Sequence, residues 1–370
     1  MDYILIAFAI ISVLYFIIVF SFLIGWIKIK EFNNDMITTS IPLSIVIPFR
    51  NEKNNIEHII NDIQNQTYSK EDFELILIND HSNDSSVEVI NTLELNNIKI
   101  KILNLENDKG KKAALRYGIE SSNNDLIVTT DADCRVGKDW LRSIAAYYLK
   151  YKPDVIVGPV LYKEGKGFLN HFYNLEFLSL IASGAGAIGI SKPIMANGAN
   201  LIFDKKVYHE LNLKNSIASG DDVFFIHGAK KLYKKSIRFL KSKDAVVLTN
   251  APKNIQEFIQ QRIRWSSKSV YYHDFETLLV AWVIFLFNLM IVLLVIMGIL
   301  HSFSLLLALM ALLAKLIIDS PLLFMSSKFF KRLDLMKSYL PAQLLYPFYI
   351  VTIIFIGIFY KKTWKERSIK

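Results

Sequence analysis

Cysteine is nearly missing from this sequence: Cys134 is its sole instance among 370 residues. An intramolecular disulfide is therefore excluded, and the composition agrees with a reducing compartment. Charge is also missing over one long stretch, since no Asp, Glu, Lys or Arg occurs from Tyr3 to Ile27. That run exceeds the roughly 20 apolar residues needed to cross a bilayer. A cleaved secretion signal fits it poorly, because no basic leading segment follows Met1-Asp2 and no small-residue cleavage site comes after the run. The run reads as an anchor that stays. Internal repeats and low-complexity tracts are absent too, which argues against a repeat architecture.

What is present is apolar. Hydrophobic residues make up 52% of the chain and the mean hydropathy is +0.30, high for a soluble protein. The excess sits at the two ends. Besides the first run, Thr277 to Leu300, Ser302 to Met325 and Pro341 to Tyr360 are each long enough to span. Lys28 and Lys30, directly after the first run, place the following domain in the cytoplasm by the positive-inside rule. Lys328, Lys331, Arg332 and Lys337 mix with Phe329, Phe330, Leu333 and Leu335, as suits a helix lying in a cytoplasmic interface. The basic tail, Lys361 to Lys370, also asks for the cytoplasm, whereas three full crossings would leave it outside. Either Pro341 to Tyr360, broken by Pro347, is re-entrant, or the charge rule fails here. Much of the net charge of +9 flanks apolar segments, which argues for a membrane and against nucleic acid. Lys230, Lys231, Lys234, Lys235 and Arg238 face either anionic lipid or solvent.

Between about Ile41 and His273 the pattern changes. Leu43 to Pro48, Phe73 to Asn79, Ile98 to Leu103, Leu126 to Thr130 and Val155 to Val160 are short runs rich in Ile and Val, without clean alternation. Such runs suit strands buried on both faces. Ile56, Ile59, Ile60 and Ile63 recur at helical spacing, as do Leu141, Ile144, Ala145 and Tyr148. The alternation predicts an α/β domain with a mainly parallel sheet, whose ligands bind beyond the carboxyl ends of the strands.

Acids gather at those ends. Asp80 closes the second run, and Asp131 and Asp133 follow a later one. Each alone reads equally as a helix cap or turn former, and for Asp84 that reading is preferred. Asp131 and Asp133 offer hard oxygen ligands two residues apart, suited to Mg²⁺ or Mn²⁺ bridging carboxylate and phosphate oxygens. Gly110-Lys111-Lys112 puts cations after a turn residue, for a phosphate or for solvent. Gly220-Asp221-Asp222 supplies adjacent carboxylates, one of them a candidate general base, or a helix cap. Gln261, Arg264 and Trp265 share a helical face, where guanidinium and indole can hold pyrophosphate and stack on a ring, or can belong to an interfacial belt.

In order, Ile45-Val46-Ile47-Pro48-Phe49-Arg50-Asn51-Glu52, Asp80, Gly110-Lys111, Asp131-Ala132-Asp133, Gly198-Ala199-Asn200, Gly220-Asp221-Asp222 and Gln261-Arg262-Ile263-Arg264-Trp265 resemble the family-2 glycosyltransferases. That family includes cellulose, chitin and hyaluronan synthases and ceramide glucosyltransferase. The resemblance covers about Leu43 to Lys268 and implies a GT-A nucleotide-sugar fold, inversion at the anomeric carbon, and a Mg²⁺ or Mn²⁺ cofactor. It implies donor contacts at Pro48, Arg50, Glu52, Asp80, Lys111, Asp131, Asp133 and Arg264, with the metal on Asp133 and Asp131. Asp222 is then the base, and Asn200, Asp221, Gln261, Arg264 and Trp265 meet the diphosphate or the acceptor. Lys112 and Arg116 depart from the small residue and Asn common in the family, which leaves the nucleoside contacts there open. The usual Thr-Glu-Asp stands as Gly220-Asp221-Asp222, a variant resembling hyaluronan- and chitin-type synthases.

The implied organisation is an anchor (1–30), a cytoplasmic GT-A catalytic domain (41–250), an interface helix (251–275), C-terminal transmembrane segments (276–360) and a basic cytoplasmic tail (361–370). The implied setting is the inner membrane, multi-pass, in cell-envelope glycolipid or polysaccharide synthesis. The implied partners are a nucleotide sugar, UDP-linked by resemblance, a membrane lipid or lipid-linked glycan acceptor, and a possible second copy of the chain. Few spans favour single addition over a processive synthase, while Gln-Arg-x-Arg-Trp with Gly-Asp-Asp is typical of processive relatives. A non-catalytic scaffold of this fold is the further alternative, against which the retained acids argue. Val160 to Pro193, apolar with Glu176 and Ser183-Gly184-Ala185-Gly186, is either an acceptor-side element touching the membrane or core packing. Lys315 and Asp319 either pair across one turn at an acceptor portal, or Lys315 snorkels and the span boundary shifts at Asp319-Ser320-Pro321.

Overall fold

The computed structural model describes residues 2–33, 39–95, 98–211, 221–299, 302–359, 363–364 and 367–368. Two compact units emerge: Ile29–Lys163 with Met195–Asn250, and Met1–Lys28 with Glu164–Ile194 and Ala251–Lys370.

The first unit is α/β. Its strands are β1 (Leu43–Phe49), β2 (Phe73–Asn79), β3 (Lys99–Asn104), β4 (Leu126–Thr129), β5 (Arg135–Val136), β6 (Val155–Val157), β7 (Val160–Tyr162), β8 (Leu201–Asp204), β9 (Ile237–Phe239) and β10 (Val247–Thr249). Seven form one sheet in the order β3-β2-β1-β4-β8-β6-β9, and β5-β10-β7 form a second. The ladders among β3, β2, β1 and β4 are parallel, while β8 runs antiparallel between β4 and β6. The helices of this unit are α2 (Ile56–Gln64), α3 (Ser86–Thr92), α4 (Lys111–Glu120), α5 (Trp140–Tyr151), α7 (Lys205–Glu210) and α8 (Asp221–Tyr233). Every residue of β1 and β2 is buried, as their unalternating Ile and Val content requires. On α2, Ile56, Ile59, Ile60 and Ile63 are fully buried, each contributing about 1.5–3 kcal/mol relative to exposure. Pro48 is tolerated in a central strand because the β1–β4 pairing ends at Val46↔Thr129, so its missing N–H interrupts no ladder there.

The predicted run Val155 to Val160 divides into β6 and β7, which belong to different sheets. Gly158 and Pro159 lie between them, and Gly158 N donates to Asn200 O at 2.8 Å. A Cβ on Gly158 would lie 2.2 Å from the Asn200 side chain, so only glycine admits that approach.

The second unit is helical: α1 (Asp2–Lys28), α6 (Phe168–Gly189), α9 (Ile255–Ser266), α10 (Phe275–Gly298), α11 (Ser302–Phe329) and α12 (Tyr339–Phe359). Ile6–Lys28, Phe275–Gly298, Leu305–Phe329 and Leu333–Gly357 are long and apolar enough to cross a membrane, which makes this a multi-pass membrane protein. Tyr15, Phe287 and Ala311 bring α1, α10 and α11 into one cluster, with the Tyr15 and Phe287 rings stacked at 4.2 Å. α1 and α6 touch backbone to backbone: a Cβ on Gly186 would lie 2.2 Å from Phe22 O, and one on Gly189 2.2 Å from Gly25 O. Small residues permit such contact where water offers no driving force between helices. Pro347 lies inside α12 without ending it. The basic segment expected as an interface helix is instead the end of α11, a left-handed residue at Lys331, and a 3-10 turn over Leu333–Ser338. Arg332, counted there among the basic residues of an interfacial helix, is buried and donates to Asn174 of α6 at 3.1 Å and to Asp334.

Candidate active site at the carboxyl edge of the sheet

Strand order reverses at β1, which has β2 on one side and β4 on the other. The carboxyl ends of β1 and β4 therefore flank the switch-point crevice where open α/β sheets bind ligands. Arg50 and Glu52 leave β1, Asp80 leaves β2, and Asp131 and Asp133 leave β4. Because β8 is antiparallel and Leu201 pairs with Thr129, the turn Gly198–Asn200 enters at the same edge. Thr129 Oγ1 donates to Gly198 O at 2.8 Å. Asp222, one residue into α8, accepts from Gly198 N at 3.2 Å, so it joins the edge through that turn. Gly220 lies outside the described residues, and Asp221 is described only as the first residue of α8.

The loops after β1 and β2 hold each other. Asn51 N donates to Ser82 Oγ at 3.1 Å, and Asn83 N donates to Asn51 Oδ1 at 2.9 Å. Both Asn51 (φ 53°) and His81 (φ 55°) are left-handed, a conformation that Asn and His accept more readily than most residues. Arg50 Nη1 donates to the carbonyls of Asp80 and His81 at 2.9 and 3.0 Å, so this side chain ties the two loops together. Asp84 accepts from Lys53 N and from Ser86, which is the turn-forming role preferred for it. Asp80 is buried, and its Oδ1 accepts from Gly110 N at 3.0 Å. Gly110 has φ +100°, which is strained for any other residue, and it starts α4 so that Lys111 reaches Asp131 Oδ1 at 2.5 Å.

Asp133 carries the electrostatic signature. Its burial, with the carboxylates of Asp131 and Glu52 alongside, pushes its carboxyl up to about 6, against the pull of the Lys111 ammonium and of a backbone hydrogen bond. Negative charge at this edge exceeds the positive charge beside it, which is what a cation would relieve. Among the described residues no three His, Cys, Asp or Glu converge on one point. Asp131 and Asp133 thus offer one or two carboxylates and leave other positions to phosphate oxygens and water, the usual arrangement for Mg²⁺.

Some residues differ from expectation. Asn200 is fully buried, with Oδ1 accepting from Trp140 Nε1 at 3.2 Å and Nδ2 donating to Pro159 O and Ala245 O at 2.9 and 2.8 Å. Its amide fixes the turn before β8 and is not presented to a ligand. Asp62 is a residue that sequence reasoning missed: it accepts from Arg135 Nε and Nη2 at 2.6 and 2.8 Å and from Val136 N at 3.1 Å, pinning the segment after Asp133 to α2. No local pattern marks it, since the partners are 73 residues apart.

Gln261, Arg264 and Trp265 lie on α9 in the helical unit. Arg262, passed over in the sequence, is the buried charge among them. Arg262 is 4% exposed and forms a forked pair with Glu176 of α6, its Nε 3.0 Å from both carboxylate oxygens. Tyr349 of α12 donates to the same carboxylate at 3.2 Å, and the Arg262 guanidinium lies 4.3 Å from the Trp265 ring centroid.

The Glycosyl transferase family 2 model matches residues 44–237, more than half of the chain, and the chain belongs to that family. Similar proteins include glycosyltransferase AglE of Haloferax volcanii, 26% identical over 190 residues, which are 50% of this chain and 60% of the relative. The poly-beta-1,6-N-acetyl-D-glucosamine synthase of Staphylococcus aureus is 25% identical over 235 residues, 60% of this chain and 53% of the relative. The matches thus take in little more than half the length of these curated relatives. Among solved structures, a mannosyltransferase from Pyrobaculum calidifontis, in complex with GDP-Man and Mn²⁺, superposes with a TM-score of 0.54 at 17% identity. It covers 94% of this chain and 97% of its own, a likeness of fold.

Proposed function

We propose that this chain transfers a sugar, with inversion, from a nucleotide-diphosphate donor, UDP by family resemblance, to a lipid or lipid-linked glycan acceptor at the membrane. The observation that carries the reading is the convergence of Glu52, Asp80, Asp131, Asp133 and Asp222 on one edge of the sheet, at its switch point, in a family-2 domain. Asp80 and Glu52 hold the nucleoside, with Arg50 keeping their loops in place and Pro48 lying near the carboxyl end of β1, ahead of Arg50 and Glu52. A divalent cation on Asp133, with Asp131 beside it, supplies charge neutralisation for the departing diphosphate. The Mn²⁺ complex of the Pyrobaculum protein supports that choice, with Mg²⁺ the other candidate. Lys111, already at this edge, adds positive charge there.

Asp222 takes the proton from the acceptor hydroxyl. The acceptor oxygen bonds to the anomeric carbon as the carbon–oxygen bond to the diphosphate breaks, and attack from the opposite face inverts the centre. In this reading residues 41–250 act as the catalytic domain on the cytoplasmic side of the inner membrane, and Gln261, Arg264 and Trp265 of 251–275, with Asp221, keep the diphosphate and acceptor roles that the family resemblance implies. Anchor 1–30 and segments 276–360 hold it in the bilayer.

Processive synthesis is the second reading, favoured by the similarity to the Staphylococcus aureus synthase. One assay addresses both. Purified full-length protein is incubated with a panel of labelled sugar nucleotides, Mg²⁺ or Mn²⁺, and membrane lipid extract, and both diphosphate release and product length are measured. A single-sugar lipid product supports the first reading and a ladder of lengths the second. No release with any donor, from protein that binds none, overturns both.

A further inference from the structure

Within the helical unit a partly open cavity of about 90 Å³ lies among α1, α6, α10, α11 and α12. It is smaller than the ~150 Å³ apolar cavity known to admit benzene, so it takes the end of a ligand and not a whole lipid. Much of the wall is apolar, with Val19, Phe22, Leu175, Ile284, Leu322 and Leu323. The rest is polar, and at the depth of the spanning segments polar lining is expensive unless it serves a purpose. Lys315 is 1% exposed, so it does not snorkel. Its ammonium donates to Asp319 Oδ2 and to Gln343 Oε1, each at 2.5 Å, and lies 4.6 Å from the Tyr346 ring centroid. Tyr15 of α1 donates to the other oxygen of Asp319 at 2.8 Å.

The charge count is even. Lys315 is matched by Asp319, and Glu176, also in the wall, is matched by Arg262. A phosphate brought here would meet no uncommitted cation among the described residues of the wall, in a low-dielectric surrounding, and its burial would go uncompensated. Neutral hydrogen-bonding groups remain. Lysine only donates, so it fixes Gln343 with its oxygen toward Lys315, and among the described residues no acceptor takes the Gln343 amide N–H groups. Ser179 and Ser183 add hydroxyls to the wall.

We propose that this cavity binds the hydroxyl-bearing head of an uncharged lipid, of the diacylglycerol kind, in preference to a polyprenyl phosphate. Its purpose as the acceptor's resting place rests on the transferase reading; the binding itself does not. The test uses the full-length protein in detergent, incubated with dioleoylglycerol or with a polyprenyl phosphate. Retained lipid is read by native mass spectrometry, and UDP binding by calorimetry on the same preparation.

Wild type should retain dioleoylglycerol at least about tenfold better than the phosphate. Ser179→Leu fills the cavity without touching the ion pairs, and the double variant Lys315→Met, Asp319→Leu removes the polar wall. Both should lose the retained lipid while binding UDP as wild type does. Preference for the polyprenyl phosphate, or undiminished dioleoylglycerol on Ser179→Leu, overturns the proposal. Retained dioleoylglycerol without UDP binding upholds the cavity and sinks the reading of a UDP-sugar transferase, whereas UDP binding without lipid retention does the reverse.

Discussion

Two aspartates at the sheet edge differ in what surrounds them, and their expected behaviour differs accordingly. Asp222 is held by Gly198 N and caps the start of its own helix through Val223 N at 2.9 Å. Asp222→Asn keeps shape and hydrogen-bonding reach but cannot take a proton. Transfer should fall by at least about a hundredfold while calorimetric donor binding persists. Asp133 is a carboxyl held at about 6, above its ordinary range, by burial and by Asp131 and Glu52. The sign follows: the unfolded chain gives up this proton near pH 4 and the folded chain near pH 6, so across that window stability falls as pH rises. Asp133→Asn should therefore raise the Tm at pH 7.5 in the absence of divalent cations. In wild type, affinity for Mn²⁺ should drop about tenfold per pH unit below about 6, because proton and cation compete for one carboxylate. The residue identities were legible because acids at strand ends stand out in a chain of Ile and Val. Which of them carried the raised carboxyl was not, since that depends on neighbours brought from β1 and α4.

Among the elements, buried pairs decide more than motifs. α9 was legible as a helix: Asn254 Oδ1 accepts from Glu257 N at 2.9 Å and caps its first turn, while Glu257 accepts from Lys253 N, one residue ahead of the cap. Its anchoring was not legible, because Arg262 meets Glu176 across 86 residues. Removing one partner of a buried pair leaves the other uncompensated, so Arg262→Met should cost about 3–5 kcal/mol, seen as a lowered midpoint in thermal unfolding. Glu176→Gln with Arg262→Met should recover part of that loss. α1 and α6 pose a steric case. Gly186→Ala inserts a methyl where the Phe22 carbonyl already stands at 2.2 Å, and overpacking of this kind costs about 1–3 kcal/mol. The glycine-rich composition of α6 was visible in the sequence, but not the helix that exploits it, since partners at 22 and 186 share no local signal.

At the scale of the whole molecule, the four long apolar helices among the described residues commit the chain to the membrane, and the basic residues beside α1 set the expected orientation. Cys134 is 1% exposed, which makes the wild-type chain a quiet background for thiol labelling. Lys231 is exposed on α8 of the α/β unit. Lys231→Cys should react with a membrane-impermeant maleimide in inside-out vesicles and not in right-side-out ones. Labelling in right-side-out vesicles alone would place the α/β unit on the far side of the membrane and remove access to cytoplasmic nucleotide sugars.

Sequence alone determined the elements whose cause is local: the doubly buried strands β1, β2 and β4, the amphipathic α2 and α5, the apolar runs, and the types of residue at the sheet edge. Each follows from the order of neighbouring side chains, in which hydrophobic periodicity and the absence of charge are already written. Tertiary structure decided what depends on distant partners. It separated β6 from β7, gave the Asn200 amide to Trp140 and to the carbonyls of Pro159 and Ala245, buried Arg262 and Lys315 as paired charges, and brought Asp222 to Gly198. Those outcomes arise from contacts closed over many tens of residues, whose energies a reader of the linear chain cannot assign before the fold has chosen the partners.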